Sequence, residues 1–88
     1  MMPVISIFFG IIIRINFDDH NPPHFHAEYQ DDEACFDINT GEISDGKLPK
    51  RFHSLVRKWA KEHKEELLNA WNLAKAGKPT FRIKGAHR

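Results

Sequence analysis

The spacing of apolar residues changes in the middle of this chain, and that change limits the folds it can adopt. Before Pro49, apolar and polar residues alternate as they do in half-buried strands. After Pro49, apolar residues recur every three or four positions, as they do along one face of a helix. The sequence therefore predicts an α+β fold, in which a small antiparallel sheet of about four strands precedes C-terminal helix packed on one sheet face.

Four segments in the first half fit the strand pattern. They are residues 4–8, 11–17, 24–29 and 34–38. The last two are separated by a short polar turn, so we expect them to pair as an antiparallel hairpin. The polar face of this hairpin would carry His24, His26 and Glu28 on one strand. The same face would carry Cys35 and Asp37 on the other strand.

The second half predicts helix, with Pro49 as its first residue and Gly77 as its stop. The apolar stripe of this helix comprises Phe52, Leu55, Val56, Trp59, Ala60, Leu67, Trp71 and Ala74. The stripe fits either one long helix or two consecutive helices with a break near His63. Residues 39–49 are rich in turn formers, and residues 80–85 are a candidate for a short edge strand.

The chain has 88 residues and is expected to form a single domain, residues 1–88, around one modest core. Its one cysteine, Cys35, excludes an internal disulfide and favours a reducing compartment. The apolar segment 3–13 has no preceding positive charge and is shorter than the ~20 apolar residues that cross a bilayer. We therefore expect a cytoplasmic protein without a membrane span.

The formal net charge of +1 hides two oppositely charged segments. Residues 18–45 contain nine acidic residues and no Lys or Arg, whereas residues 46–88 contain twelve basic and three acidic residues. Such asymmetry favours a polyanion as partner of the basic half, or a basic partner for the acidic half. Attraction between the two halves of the same chain explains the pattern equally well.

The segment DDHNPPHFHAEY places His20, His24 and His26 around two prolines. On an extended strand, His24 and His26 point the same way, about 7 Å apart. If His20 swings in from the loop, the three imidazoles predict a site for Zn²⁺ or another divalent transition metal. Glu28 or Asp37 would complete that site. The alternative is a solvated polar face on a half-buried sheet.

A second chemistry for the same histidines needs no metal. Imidazole titrates near neutral pH, so His24 and His26 are candidate catalytic residues, as base and acid in the cleavage of a phosphodiester. That reaction also needs a cation to hold the phosphate, and Arg14 or a helix cation could supply it. Nothing in the sequence places a nucleophile against the histidines, so both chemistries stay open.

Five basic residues lie at the start of the predicted helix and along its first turns: Lys47, Lys50, Arg51, Arg57 and Lys58. The helix dipole disfavours each cation near a helix start by about 0.3–1 kcal/mol, so local helix stability does not explain them. Positive side chains beside the free N–H groups of a helix start favour anion binding. These residues therefore predict contacts with RNA or DNA phosphates, and charge balance against the acidic segment is the alternative.

Four segments together resemble a small prokaryotic family, family 4160 of unknown function. They are PVISIFFGIIIRI, DDHNPPHFHAEY, TGEISDGKLPKR and HKEELLNAWNLAKAGKP. The resemblance extends from Pro3 to about Lys78, and its most distinctive part is an H-x-P-P-H-x-H-A core, here His20 to Ala27. The family resembles the toxin half of two-gene toxin–antitoxin modules. The resemblance therefore implies growth inhibition through RNA or translation and a small antitoxin-like partner from a neighbouring gene, but no catalytic mechanism.

Three functions follow from these observations. The first is a toxin-like protein that binds RNA or the translation machinery through its basic residues, with His24 and His26 as functional side chains beside them. The second is a non-enzymatic regulator that binds nucleic acid or a protein through the same basic residues. The third is a metal protein with histidine ligands. A small protein with exposed strand edges is also expected to form a homodimer.

Overall fold

The computed structural model describes residues 3–17 and 19–86, so Asp18 of the acidic segment and the two ends of the chain lie outside the described residues. The described chain forms five strands, a 3₁₀ turn and two helices. The strands are β1 (Val4–Phe8), β2 (Ile11–Arg14), β3 (His24–Tyr29), β4 (Asp32–Asp37) and β5 (Ile43–Gly46). The 3₁₀ turn (Lys50–Phe52) leads into α1 (His53–Glu62), which is followed by α2 (Lys64–Lys75).

Each strand pairs with the next one in an antiparallel meander, so the order in the sheet follows the order in the chain. The predicted hairpin of β3 and β4 is confirmed, and its register places His26 opposite Cys35 and His24 opposite Asp37. On its other side β3 pairs with β2, where Arg14 lies opposite His26. The α+β fold class is confirmed, with five strands rather than about four. The histidine strand is the central one.

The fifth strand lies in the segment for which the sequence predicts turns. β5 is four residues long, and Ile43, its one apolar side chain, lies opposite Phe36. So short a strand with one apolar residue has no alternation that could reveal it. Gly46 ends β5 with a φ of +74°, and a Cβ atom there would lie 2.3 Å from the Glu33 carbonyl oxygen. The close approach of β4 and β5 therefore requires glycine.

The segment predicted as an edge strand after the helices runs along β1 without forming a regular ladder. The Ile83 N–H donates to the Ile5 carbonyl at 2.7 Å, and the Ser6 hydroxyl donates to the Ile83 carbonyl at 2.8 Å. The Ile83 side chain is buried in the core. This segment thereby covers the outer edge of β1, where free backbone groups would otherwise favour pairing with another chain.

The core lies between the helices and one face of the sheet. Trp59 of α1 is its largest fully buried side chain. Its ring packs against Phe8 and Phe25, with centroids 5.0 Å and 5.8 Å away. The Trp59 indole N–H donates to the Lys84 carbonyl at 2.9 Å. One aromatic side chain thus joins α1 to β1, to β3 and to the C-terminal segment.

The helical half consists of two helices, which is one of the two arrangements that the apolar stripe allows. His63 separates them with φ −113° and ψ 23°, outside the helical values. Gly77 follows α2 with a φ of +71°, the conformation that commonly ends a helix. Within the described residues, neither helix has the length and apolar character needed to cross a membrane.

Candidate functional site

The histidine site forms where the loop after β2 returns to the sheet. Asn16 follows β2, Asp19 lies in the loop, and His24 and His26 are the first and third residues of β3. Because side chains of a strand alternate between faces, the two imidazoles stand in one row. Their ring centroids are 5.3 Å apart. The two rings therefore lie side by side, as the alternation predicts.

His24 is buried, with 8% of its surface exposed, and both of its ring nitrogens have close partners. Nδ1 lies 2.8 Å from the Pro22 carbonyl oxygen, and because a carbonyl only accepts hydrogen bonds, Nδ1 carries the proton. Nε2 lies 3.0 Å from Oδ2 of Asp19. The ring also packs against Trp71 of α2, with centroids 5.2 Å apart. These contacts fix the ring with Nε2 directed at a carboxylate.

His26 repeats this arrangement two residues further along β3. Its Nδ1 lies 3.0 Å from Oε2 of Glu33 and 3.3 Å from Sγ of Cys35. Its Nε2 lies 3.6 Å from Oδ2 of Asp19 and 3.3 Å from Nδ2 of Asn16. A carboxylate only accepts hydrogen bonds, so Glu33 favours the proton on Nδ1. Both histidines thus direct Nε2 toward the same Asp19 oxygen.

Asp19 joins the two histidines, a role that no sequence motif predicted for it. The ligand atoms of Asp19, His24 and His26 all lie within 4.8 Å of one another. The His20 N–H donates to Oδ1 of Asp19 at 2.8 Å, and the Lys75 ammonium donates to the Asp19 carbonyl. The sequence feature that could have indicated this role is an acidic residue shortly before the histidines. Its approach to them depends on how the loop folds, which no local pattern encodes.

The contacts of Asp19 also determine its charge. Burial raises the pKa of its carboxyl, but the donated His20 N–H, the positive charge of His24 and His20 when they are protonated, and a hydrogen bond with His26 outweigh burial. The pKa of Asp19 therefore lies below its ordinary value. Asp19 is a carboxylate at neutral pH, which is the form that binds a cation.

The other predicted metal ligands lie outside this cluster. The His20 side chain is exposed, and its Nε2 lies 3.8 Å from Oδ1 of Asp19. Glu28 pairs with Arg14 at 3.0 Å. Oδ1 of Asp37 accepts two backbone N–H groups of the turn that follows β4. The structure therefore brings two of the three predicted histidines together, and it adds Asp19 where Glu28 or Asp37 was expected.

An open cleft of about 460 Å³ leads to the cluster. Its walls carry the carboxylates of Asp19, Asp37 and Asp45, together with the side chains of Ser44 and Cys35. No Lys or Arg of the described residues lines it. The cleft therefore favours a cation, because a phosphate group placed there would meet several negative charges.

Cys35 lies within this negative environment and responds to it. Burial raises the pKa of its thiol, and the carboxylates of Asp45, Glu33 and Asp19 raise it further. We expect the folded protein to react with iodoacetamide at pH 8 more slowly than the urea-unfolded chain, because less thiolate is present. The pH profile of alkylation should correspondingly lie at higher pH for the folded protein.

A pair of charge-removing variants tests the cause of this shift. Asp45→Asn removes one of the carboxylates near the thiol, so alkylation at pH 8 should become faster. Asp31→Asn removes a charge at an exposed position and should leave the rate unchanged. Equal rates for Asp45→Asn and the original protein would contradict the assigned electrostatic effect.

The predicted nucleic-acid-binding residues lie away from the histidine cluster. Arg51 donates to the Tyr29 hydroxyl at 3.3 Å, and Tyr29 is the last residue of β3. His24 is the first residue of that strand, so the two ends are about 16 Å apart by strand rise. The helix beside the histidines is α2, through Trp71 and Lys75. The histidines were expected beside the start of the helical half, and in the structure they lie beside α2 instead.

Of the remaining basic residues, one balances the acidic segment of the same chain and the others are free to contact a partner. Arg57 forms an ion pair with Glu42, with Nη2 and Oε1 2.6 Å apart, so it balances the acidic segment. Lys47, Lys50 and Lys58 have exposed side chains. Part of the basic charge is thus internal, and part is available to a partner.

Comparison with known proteins identifies one family. The family model described as Domain of unknown function (DUF4160) matches residues 10–72, a range that includes the whole histidine cluster. No curated protein and no solved structure matches the chain. Because the family description states no activity, the function must be argued from the site itself.

Proposed function

The chain belongs to the family described as Domain of unknown function (DUF4160), and from its histidine site we propose that it binds one divalent transition-metal ion. The proposed ligands are Nε2 of His24, Nε2 of His26 and Oδ2 of Asp19. Two imidazoles and a carboxylate are typical ligands of Zn²⁺ and of other divalent first-row metals. We use the name metal cluster for these three residues.

One observation carries this proposal: both histidines use Nδ1 for a neighbouring acceptor and direct Nε2 toward one oxygen of Asp19. In a neutral imidazole with a proton on Nδ1, Nε2 bears a lone pair. A lone pair that faces a carboxylate oxygen is repelled unless a positive charge lies between them. A metal ion shared by the three atoms supplies that charge.

The acceptors of the two Nδ1 protons support the same interpretation. Histidines that bind metals almost always donate their other ring N–H to a backbone carbonyl or a carboxylate, which orients the ring. His24 has the Pro22 carbonyl in that position, and His26 has Glu33. The competing arrangement has a second proton on His24, which would pair with Asp19 at 3.0 Å, and an N–H of Asn16 donated to Nε2 of His26 at 3.3 Å.

Three protein ligands leave a coordination position open toward the cleft. A bound Zn²⁺ would supply a water of lowered pKa there, the reagent of many hydrolytic sites. The walls of the cleft are acidic, so a neutral or cationic group suits this position better than a phosphodiester.

The test is metal titration of the purified chain, without a histidine tag, after treatment with EDTA. We expect one equivalent of Zn²⁺ or Co²⁺, a visible Co²⁺ spectrum, and a higher melting temperature. At a free metal concentration of 100 Kd the stabilisation is about 2.7 kcal/mol. The His24→Ala/His26→Ala double variant should show none of these effects.

Two single-histidine variants serve as matched controls for that titration. His63 pairs with Glu66 outside the metal cluster, so His63→Ala should bind metal like the original protein. His20→Ala should also keep the affinity, because its side chain is exposed. Stoichiometric binding that survives in the double variant would overturn the proposal, as would the lack of any metal-dependent change in melting temperature.

A second candidate function, a toxin-like growth inhibitor acting on RNA or translation, is supported by the surface around Arg51. The Arg51 guanidinium lies over the Phe52 ring at 4.6 Å and the Tyr29 ring at 5.4 Å. Exposed Lys47 and Lys50 are close in sequence. Exposed cations suit the phosphates of a single-stranded nucleic acid, and an arginine guanidinium can also stack on its bases.

This second function is tested by induced expression of the chain in a bacterium, alone and together with the neighbouring gene product as proposed antitoxin-like partner. We expect growth to slow only in the first case, and Lys50→Glu/Arg51→Glu to relieve the inhibition. Normal growth with the original chain would contradict the toxin-like role. Sedimentation of the purified chain tests the proposed homodimer independently.

A further inference from the structure

Asn16 has an unusual environment next to the metal cluster. Its Nδ2 lies 3.3 Å from Oδ2 of Asp19 and 3.3 Å from Nε2 of His26, which are two of the three proposed ligand atoms. Its Oδ1 is buried and has no hydrogen-bond partner among the described residues. The amide nitrogen thus makes two long contacts with the cluster, while the amide oxygen, which could accept a hydrogen bond, has no partner.

A buried acceptor without a partner costs about 1–3 kcal/mol, so such atoms are rare unless they have a role. A half-turn about χ2 exchanges the oxygen and the nitrogen of an asparagine amide and keeps the shape of the side chain. After this half-turn, Oδ1 takes the place that Nδ2 has in the structure, so the oxygen faces Asp19 and His26. The amide nitrogen then lies where Oδ1 had no partner, and the oxygen gains the cation as a partner.

We infer that Asn16 is the fourth protein ligand, and that it binds the metal ion through Oδ1 after this half-turn. The inference rests on the proposed metal centre at Asp19, His24 and His26. The backbone supports this placement, because Ile15 is fully buried and its N–H donates to the Pro3 carbonyl at 3.3 Å. Asn16 therefore leaves the sheet from a fixed position, and its side chain need only rotate.

The resulting ligand set defines the class of metal. Two imidazole nitrogens, one carboxylate and one amide oxygen contain no sulfur, so they favour Zn²⁺, Co²⁺, Fe²⁺ or Mn²⁺ over the softer Cu⁺. Cys35 is excluded from the set by its position, since its Sγ lies 3.3 Å from Nδ1 of His26, the nitrogen that does not bind metal. The neutral amide is the weakest donor of the four, so it is the ligand that water or a substrate from the cleft would displace.

The experiment measures Zn²⁺ affinity and the Co²⁺ spectrum of the full chain with Asn16→Leu and Asn16→Asp. Asn16→Leu keeps the volume but removes the oxygen, and should weaken binding by about 10- to 100-fold. Asn16→Asp places a second carboxylate beside Asp19, so the metal-free protein should melt at a lower temperature. The same variant should bind Zn²⁺ more tightly and show a larger metal-induced rise in melting temperature.

Control variants separate this inference from the proposed function. Asn69→Asp makes the same charge change at an exposed position of α2, and Cys35→Ser removes the nearby thiol, so both should bind metal like the original protein. If the original chain binds metal and both Asn16 variants match it in affinity and Co²⁺ spectrum, Asn16 is not a ligand while the three-residue centre stands. If Asn16→Leu does not fold, unchanged or weaker binding by Asn16→Asp overturns the inference. If the original chain binds no metal, both the proposed function and the inference about Asn16 are wrong.

Discussion

Asp19→Ala is expected to weaken metal binding by more than about 100-fold, because losing even an outer-shell partner of a metal ligand typically costs 10- to 100-fold. Asp19 contributes the one negative charge of the metal cluster, and its Oδ2 is the atom that both Nε2 atoms face. The effect should be largest at neutral pH, where its carboxyl is ionised. Isothermal titration with Zn²⁺ measures the change.

The control for Asp19→Ala is Asp31→Ala, which removes an equal charge from an exposed position in the same acidic segment. It should leave the Zn²⁺ affinity within about twofold, because exposed charges are screened over about 10 Å at 0.1 M salt. If the two variants lose affinity equally, then the acidic segment attracts metal ions as a whole. That result would contradict a defined centre at Asp19, His24 and His26.

Trp59→Ala should lower the free energy of unfolding by about 3–5 kcal/mol, the usual cost of truncating a large aromatic core residue to alanine. Trp59 is 1% exposed and fills the space between Phe8 and Phe25. The substitution also leaves the Lys84 carbonyl without its indole donor. Small domains have a total stability of about 5–15 kcal/mol, so much of the margin would be lost. Urea unfolding followed by far-UV circular dichroism measures it.

Trp59→Phe separates the two contributions of this side chain. Phenylalanine keeps most of the apolar contact with the sheet and loses the hydrogen bond to Lys84, which is worth about 0.5–1.5 kcal/mol. We therefore expect a smaller loss of stability than for alanine. An alanine variant within 1 kcal/mol of the original protein would show that the core does not depend on Trp59, contrary to its contacts.

The faces of the β3–β4 hairpin could be predicted because side chains of a strand alternate. A shift by one residue would move Phe25 and Phe36 from the core to the other face, so alternation decides which side chains point to the core. The same rule places His24 and His26 in one row. The helical half follows a similar rule, since its apolar stripe must face the sheet and Gly77 permits the chain to leave α2.

The rest of the site depends on contacts between distant segments, which local patterns do not contain. Asp19 reaches the histidines because the loop between β2 and β3 folds back and Lys75 of α2 holds its carbonyl. The basic residues were expected beside the histidines, but the two groups lie in different segments of the chain, and no local pattern fixes the distance between them. The path of residues 38–52 instead brings Arg51 to Tyr29, at the far end of β3.

The contact of Ile83 and Lys84 with β1 and Trp59 links nearly the first described residues of the chain to nearly the last. The ribosome releases the N-terminal strands before it has added residues 83 and 84. During synthesis the meander could pair locally, but the outer side of its first strand would stay uncovered and the packing around Trp59 would be incomplete. Stable folding should therefore wait until residues 83 and 84 have left the ribosome, and a chain cut short after α2 would expose the strand edge most prone to association with other chains.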